Sequence, residues 1–482
     1  MSQPTQPPLL LADVQKRVAQ ELERIAPVID ELGERFEAAG EQLALVGGPV
    51  RDAMLGRLQN DLDFTTSAHP DVTERLLKGW ADAVWDLGRD FGTIGARKGE
   101  WQIEITTYRS EVYDATSRKP DVEYGDSLVG DLRRRDFTVN SMALTVPGRV
   151  LEDPYGGILD LAGRVLRTPG TPEESFSDDP LRMMRAARFS AQLGFEVAPE
   201  VVAAMTAMAD RITIISAERV RDELVKLVLA PSPRRGLALL VETGLASYVL
   251  PELPALALER DEHHRHKDVY EHTLIVLEQS IELEQQRGHA PDFVSRFAAL
   301  MHDVGKPRTR KFQDDGTVTF HHHDVVGAKL TRKRMKELRF SNDEIDAVAD
   351  LVELHLRFHG YGAGEWTDSA VRRYVRDAGD QLERLHILTR ADCTTRNKRK
   401  ADRLRRTYDD LEARIARLSE EEELASIRPD LDGVQIMEIL GIGPGRDVGA
   451  AYRFLLELRL DEGPKSPDEA RDALLAWWAA RD

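Results

Sequence analysis

The chain has 482 residues, 41% hydrophobic and 31% charged, with a formal net charge of −18. That length exceeds one core and predicts two to four domains of a soluble globular protein. The single cysteine, Cys393, excludes intrachain disulfides and cysteine-rich zinc sites, and no run of about 18 apolar residues offers a membrane span.

The opening stretch MSQPTQPPLLLADVQKR has no basic segment followed by an apolar core, so no signal peptide and a cytoplasmic location are expected. On so acidic a body, nucleic acid would have to meet local basic patches. In chain order, residues 12 to 40 predict an amphipathic helix pair. QLALVGG predicts a strand ending in a glycine turn, and PVRDAMLGR a short helix with Pro49 at its first position. DLDFTTS predicts a strand, PDVTERLLKGW a helix after His69, and AVWDLG, GTIGARKG and WQIEITTYR three more strands between glycine turns. These elements predict a small mixed α/β sheet domain closing near residue 165.

From about residue 170 the pattern turns helical. DDPLRMMRAARFSAQLGF predicts a helix ending at Gly194, and SAERVRDELVKLVLA one capped by Ser216. PELPALALERDEHHRH breaks the pattern, and twelve of the thirteen histidines lie between His263 and His386, marking a chemically distinct module. Helices continue to about residue 415. LSEEEELASIRPDLDG predicts an acidic linker, and roughly the last fifty residues a turn and two helices. The expected class is α+β, divided into residues 1–165, 166–255, 256–415 and 416–482.

The stretch LVGGPVRDAMLGRLQNDLDFTTSA, from residue 45, combines a glycine turn, a cation and two carboxylates. Asp61 and Asp63 stand i and i+2 on a strand and so share a face. Like charges repel there, and a divalent cation removes that cost by taking both as oxygen ligands. An acidic strand end is the bland reading of a lone DxD. Against it, Gly47 and Gly48 let backbone approach a phosphate, the next helix N-terminus offers N–H groups to an anion, and Arg51 can meet a phosphate oxygen. Neither a Rossmann fingerprint nor a P-loop is present. Glu104 alternates with Ile103 and Ile105, so it faces solvent or a site. A third carboxylate suits two metal ions, one for a hydroxyl nucleophile and one for a triphosphate.

With IEITTYR and LRRRDFTVNSMAL added, the chain resembles the tRNA nucleotidyltransferase (CCA-adding enzyme) and bacterial poly(A) polymerase family over roughly residues 40 to 255. The resemblance implies a catalytic head in 1–165 and a helical neck in 166–255. It implies Mg2+ on Asp61 and Asp63, with Glu104 in the third carboxylate position, and nucleotide contacts from Gly48, Arg51, Arg134, Arg135 and Asp136. In SDDPLRMMRAARF, Asp179, Arg182, Arg185 and Arg188 recur every three residues along one helix side, with Met183, Met184 and Phe189 opposite. A fixed Asp–Arg pair can read a base edge without a template, because one accepts hydrogen bonds and the other donates them. The family's EDxxR motif maps onto Asp178, Asp179 and Arg182, with Asp178 where Glu is usual. Base reading is therefore placed on Asp179 and Arg182, and Arg185 and Arg188 match nucleotide-binding positions.

DVYEHTLIVLEQ, FAALMHDVGKP, FHHHDVVGAKL, LVELHLRFH and TRADCTTR follow in order. Imidazole and carboxylate ligands from separate helices can converge on one metal. The H…HD…D set resembles the HD phosphohydrolase superfamily over about residues 265 to 400. That resemblance implies a divalent metal of unstated identity on His272, His302, Asp303 and Asp392, with His323, His355 and Lys306 serving a second metal or a phosphate. His263, His264, His266, His321 and His322 read as surface polarity.

RNKRKADRLRR and KLTRKRMKELR are the densest basic runs. Each reads as a solvated helix face or as RNA contact; no aromatic-rich RNA platform is legible. The expected function is template-independent addition of CCA to the tRNA 3′ end from CTP and ATP, beside an HD-type phosphoesterase. A poly(A) polymerase or A-adding enzyme is the near alternative. An HD phosphohydrolase is the alternative of another class, and clustered carboxylates argue against a purely RNA-binding protein. Oligomeric state is left open.

Overall fold

Ile25, Ile29, Leu32 and Phe36 recur at helical spacing and are fully buried. They form the apolar stripe of α1 (Leu11–Ala38), which continues through Pro27. The expected helix pair is therefore one helix. Burial of the unbroken stripe outweighs the roughly 3 kcal/mol cost of an internal proline. The computed structural model describes residues 11–88, 92–108, 127–257, 268–314, 318–360, 366–393, 398–422 and 427–481. His263, His264, His266 and part of the 396–406 basic run lie outside them. The chain divides into two units, Met1–Pro251 and Glu252–Asp482.

In the first unit, β1 (Leu43–Val46), β2 (Asp61–Thr66), β3 (Ala83–Gly88), β4 (Thr93–Lys98), β5 (Trp101–Thr107), β6 (Ala143–Val146) and β7 (Leu151–Glu152) form one sheet. Its order is β3-β4-β5-β2-β1-β6-β7. β2 and β5 run parallel, and every other neighbouring pair is antiparallel. Alternation sorts the side chains: Leu62, Phe64, Ile94, Ala96, Ile103 and Ile105 are at most 1% exposed and form the core face. α2 (Gly48–Leu55) follows β1, and α3 (Pro70–Leu77) packs against β4 and β5.

The helices of this unit continue with α4 (Leu128–Arg133), α5 (Gly157–Gly163), α6 (Pro172–Asp178), α7 (Leu181–Leu193), α8 (Pro199–Ala207), α9 (Ala217–Val228), α10 (Pro233–Glu242) and α11 (Ala246–Val249). α7 packs against α9 and α10, and Ser216 caps α9 as expected. The helix expected from Asp178 to Gly194 starts instead at Leu181, and Asp178 closes the separate helix α6. Pro180 disfavours helical backbone at the residue before it, and Asp179 is extended, with φ −143° and ψ 100°. Asp179 thus lies between α6 and α7, off the arginine stripe.

Among its described residues the second unit is helical but for a two-strand ribbon. Its helices are α12 (Val269–Gln286), α13 (Phe293–Met301), α14 (Lys306–Thr309), α15 (His323–Glu337), α16 (Asn342–Leu354), α17 (Asp368–Ala378), α18 (Leu382–Asp392), α19 (Lys398–Glu422), α20 (Gly433–Leu440), α21 (Arg446–Glu462) and α22 (Pro467–Ala479). α12, α13, α16 and α18 pack together. α19 extends into the segment expected as an acidic linker. The C-terminal part holds three helices rather than two: α20 precedes the glycine turn, and Ile436 joins Leu455 and Leu474 in a shared core. No helix among the described residues is long and apolar enough to cross a membrane.

Candidate active site and metal centre

The parallel register of β2 and β5 sets Asp63 directly beside Glu104, and Asp61 beside Gln102. Residues opposed across a ladder share a face, so Asp61, Asp63 and Glu104 make one acidic patch on the sheet face away from the core. Burial raises Asp63 above the ordinary carboxylate range, Asp61 adds to the rise, and Arg135 and Arg51 oppose it. Burial also raises Glu104, with Asp63 and Asp61 adding to it. Two carboxylates raised in this way, with Asp61 on the same face, are a donor set that a hard divalent cation would relieve.

The glycine turn abuts this patch. Gly47 has φ 72°, and a Cβ on it would lie 2.8 Å from Arg135 Nη1. Only glycine lets that guanidinium lie against the turn. Arg135 Nη2 also donates to Asp131 Oδ2 at 3.1 Å. Arg51 is 7% exposed and donates to Asn140 Oδ1 (2.6 Å) and Asp52 Oδ2 (2.9 Å). Its charge lies within reach of Asp63's field while its hydrogen bonds are spent inside the fold.

Asp136 is the centre of a buried network. Its Oδ1 accepts from Asn140 Nδ2 at 2.9 Å, and its Oδ2 accepts from Arg185 Nε at 2.8 Å. Burial pushes Asp136 up, but Arg185 and the Asn140 hydrogen bond outweigh it and hold the carboxyl at about 2. Glu223 of α9 takes the other arginines, 2.6 Å from Arg188 Nε and 3.5 Å from Arg185 Nη1. Phe189, expected opposite the arginines, lies under them: the guanidinium carbons of Arg188, Arg185 and Arg51 stand 4.1, 5.4 and 5.3 Å from its ring centroid. Arg185 and Arg188 are thus tied to buried acids.

Asp179 and Arg182 do not pair with each other. Asp179 Oδ1 accepts from Leu181 N, and Oδ2 from Arg219 Nη2 at 2.7 Å. Arg182 donates to Ser175 Oγ at 2.9 Å and to the carbonyl of Arg134. Arg182 lines a cavity of about 200 Å³ with Arg134, Ser175 and Asp178. Arg219, Glu223 and Asn140 escaped the sequence reading. The only local signal for the first two was an arginine and a glutamate one turn apart on α9.

The second unit gathers its histidines. His272 Nε2 lies 2.9 Å from Asp392 Oδ1 and 3.6 Å from Asp303 Oδ2. His302 Nε2 is 3.3 Å from Asp303 Oδ2, and His323 Nε2 is 3.4 Å from Asp303 Oδ1. His302, His323 and His355 each donate Nδ1–H to a backbone carbonyl, of Ala299, Phe320 and Val352, since a carbonyl can only accept. That tautomer turns each Nε2 lone pair inward. The Nε2 atoms of His302 and His355 are buried without a hydrogen-bond partner. Ligand atoms of His272, His302 and Asp303 lie within 4.8 Å of one another, as do those of Asp303, His323 and His355. Both triads share Asp303, so the residues fit two cations bridged by one carboxylate. Burial pushes Asp303 up, but His302 and Lys306 hold it well below its ordinary range; Lys306 Nζ is 2.6 Å from its Oδ2.

A close backbone contact positions this set. A Cβ on Gly305 would meet the carbonyl oxygen of His323 at 2.0 Å and the Gly327 nitrogen at 2.7 Å. Gly305→Ala is therefore expected to push the start of α15 outward and weaken divalent-metal affinity about 10–100-fold, as lost support of a ligand does elsewhere. Calorimetric titration with Mn2+ checks this, and unchanged affinity would refute it. Of the basic runs, Arg332 pairs with Asp346 and Asp350, and Arg334 with Glu252.

Three family models match the chain: the poly A polymerase head domain over residues 43–167, the probable RNA and SrmB-binding site of polymerase A over 194–256, and the HD domain over 269–397. The A-adding tRNA nucleotidyltransferase of Deinococcus radiodurans is 35% identical over 441 residues, 90% of this chain and 95% of that protein. The CCA-adding enzyme of Levilactobacillus brevis is 41% identical over 234 residues, 48% of this chain and 57% of that protein. The chain thus spans little more than half of that CCA-adding relative. Among solved structures, the Bacillus stearothermophilus CCA-adding enzyme in complex with CTP matches with TM-score 0.68 and 24% identity, covering 93% of this chain and 96% of that one. The Thermotoga maritima CCA-adding enzyme complexed with tRNA matches with TM-score 0.62 and 18% identity, over 97% and 98%. At those identities the likeness is one of fold.

Proposed function

Because the chain belongs to the tRNA nucleotidyltransferase family, we propose that it adds C and A residues to the 3′ end of tRNA in the cytoplasm, using CTP and ATP without a template. The register that sets Asp63 beside Glu104, with Asp61 two residues along, carries this reading. The RNA 3′-hydroxyl gives up its proton to solvent as its oxygen bonds to the α-phosphorus of the nucleotide, the bond from that phosphorus to the oxygen bridging the β-phosphate breaks, and pyrophosphate leaves. Asp61 and Asp63, with Glu104 alongside, would hold Mg2+, which would supply Lewis-acid stabilisation of the charge on the phosphate oxygens. Gly48 brings backbone N–H groups to the triphosphate, and Arg51 and Arg135 add positive charge beside it. Arg134 is placed near sugar and phosphate. Asp179, steadied by Arg219, and Arg182 select the base, while Asp136, Arg185 and Arg188 hold the helix that carries Arg182.

The test uses tRNA ending before CCA or ending in CC, with labelled CTP and ATP supplied separately. Incorporation of C onto the first and A onto the second supports CCA addition. The near full-length match to a protein named A-adding favours a second reading, addition of A alone, which predicts ATP incorporation onto tRNA-CC and none from CTP.

We place a separate divalent-metal-dependent phosphoesterase on His272, His302, Asp303 and Asp392, with His323 and His355 completing the second position and Lys306 near phosphate. His302→Ala is expected to remove metal-stimulated phosphoester hydrolysis while changing nucleotide incorporation by no more than about twofold, as for sites that share no partner. Parallel assays of both activities decide it, and loss of both would show that the modules are coupled.

A further inference from the structure

On the sheet face that carries the carboxylates, the outer strands present two side chains that the chemistry above does not use. The ladders align Trp85 with Gly95, Gly95 with Glu104, and Glu104 with Asp63. These four positions form one row across β3, β4, β5 and β2. Trp85 is 38% exposed, and its indole covers Gly95: a Cβ there would fall 2.4 Å from Trp85 Nε1 and 2.6 Å from Cε2. In the adjacent row, Arg97 aligns with Gln102, and Gln102 with Asp61. Arg97 is exposed and makes no ion pair among the described residues.

We propose that Trp85 and Arg97 form a subsite for the unpaired end of the RNA acceptor, the indole stacking on a base and the guanidinium meeting its phosphate. The assignment rests on the nucleotidyl-transfer reading. In an in-line displacement the attacking and leaving oxygens stand on opposite sides of phosphorus. Gly47, Gly48 and Arg51 lie at β1 and α2, on one side of Asp63 in the sheet order; Trp85 and Arg97 lie on the other. A triphosphate at the glycine turn sends pyrophosphate out on the β1 side, so the RNA hydroxyl must come across β3 and β4. At the usual strand spacing the indole stands roughly 10 Å from Asp63, within the span of the last one or two nucleotides. Aromatic stacking tolerates any base, as an end that changes with each addition requires. A nucleobase with its phosphate could also come from the incoming nucleotide, and the test separates the two.

Truncated tRNA carrying 2-aminopurine at its 3′ terminus is titrated with the full-length protein, without nucleotide or metal. The wild type is expected to quench the probe, Trp85→Ala and Gly95→Ala to lose the quench, and Trp85→Phe to keep it. In steady state, Trp85→Ala should raise KM for tRNA about tenfold and leave KM for CTP and ATP unchanged. Arg97→Ala should lower the salt slope of RNA binding by about one. Unaltered quenching and tRNA KM in Trp85→Ala overturn the proposal. A rise confined to the KM of CTP or ATP also overturns it, by giving the indole to the incoming nucleotide. Failure of the wild type to incorporate any nucleotide would count against the nucleotidyl-transfer reading instead, since the quench is read without turnover.

Discussion

Replacing Asp63 with Ala is expected to lower nucleotide incorporation by at least about a thousandfold, the scale of losing several kcal/mol of metal-assisted transition-state stabilisation. Asp61→Ala should match it, because the two carboxylates share one face of β2 and neither can hold a cation alone. Fold stability should change little at Asp61, which is exposed. Burial, with Asp61 adding to it, already pushes Asp63 upward, so removing this carboxylate takes away a charge that folding disfavours and thermal unfolding should not fall. Full incorporation by Asp61→Ala, measured with labelled ATP on tRNA-CC, would remove this patch from the reaction. Glu104→Gln should have a smaller effect, since its amide oxygen still accepts while the third charge is lost.

Asp136→Asn is expected to destabilise the first unit by about 3 kcal/mol or more, the cost of breaking a buried ion pair from one side. Asn keeps the shape but removes the charge 2.6 Å from Arg185, a third exposed, leaving it Glu223 at 3.5 Å. The pH dependence gives an independent check. The folded carboxyl sits at about 2, below the ordinary 3.9 of an unfolded chain. Its stabilising contribution is therefore complete above about pH 4 and is lost as pH falls from 4 towards 2. Roughly 2–3 kcal/mol of acid sensitivity should disappear in Asp136→Asn, as read by urea unfolding across that range. An unchanged acid profile would show that Asp136 is not the group responsible.

Legibility followed the distance over which each feature is encoded. Asp61, Asp63 and Glu104 were legible because alternation along a strand is local, and so were Ser216 as a cap and the ordered histidine segments. Long-range partnership was not legible. Arg51 and Arg185 read as nucleotide contacts, and nothing local showed that Asn140, Asp136 and Glu223, brought from 38 to 89 positions away, also take hydrogen bonds or charge from them. Asp179 read as part of a helical stripe, but Pro180 extends its backbone and Arg219 claims its carboxylate. Nothing local singled out Trp85 within the strand expected for AVWDLG. Only the register that lays it over Gly95 gives it an open face beside the acids.

The parallel pairing of β2 with β5 joins strands separated in sequence by α3, β3 and β4. A shift of β5 by a single residue would turn Glu104 inward and Ile103 and Ile105 outward, exchanging a charge for two isoleucines in the core. The apolar cost of that swap guards the alignment of the acids, so proofreading of the fold and assembly of the reaction centre are the same event. A chain that completes the sheet incorrectly would be conspicuous by its greasy surface before it could ever act on RNA.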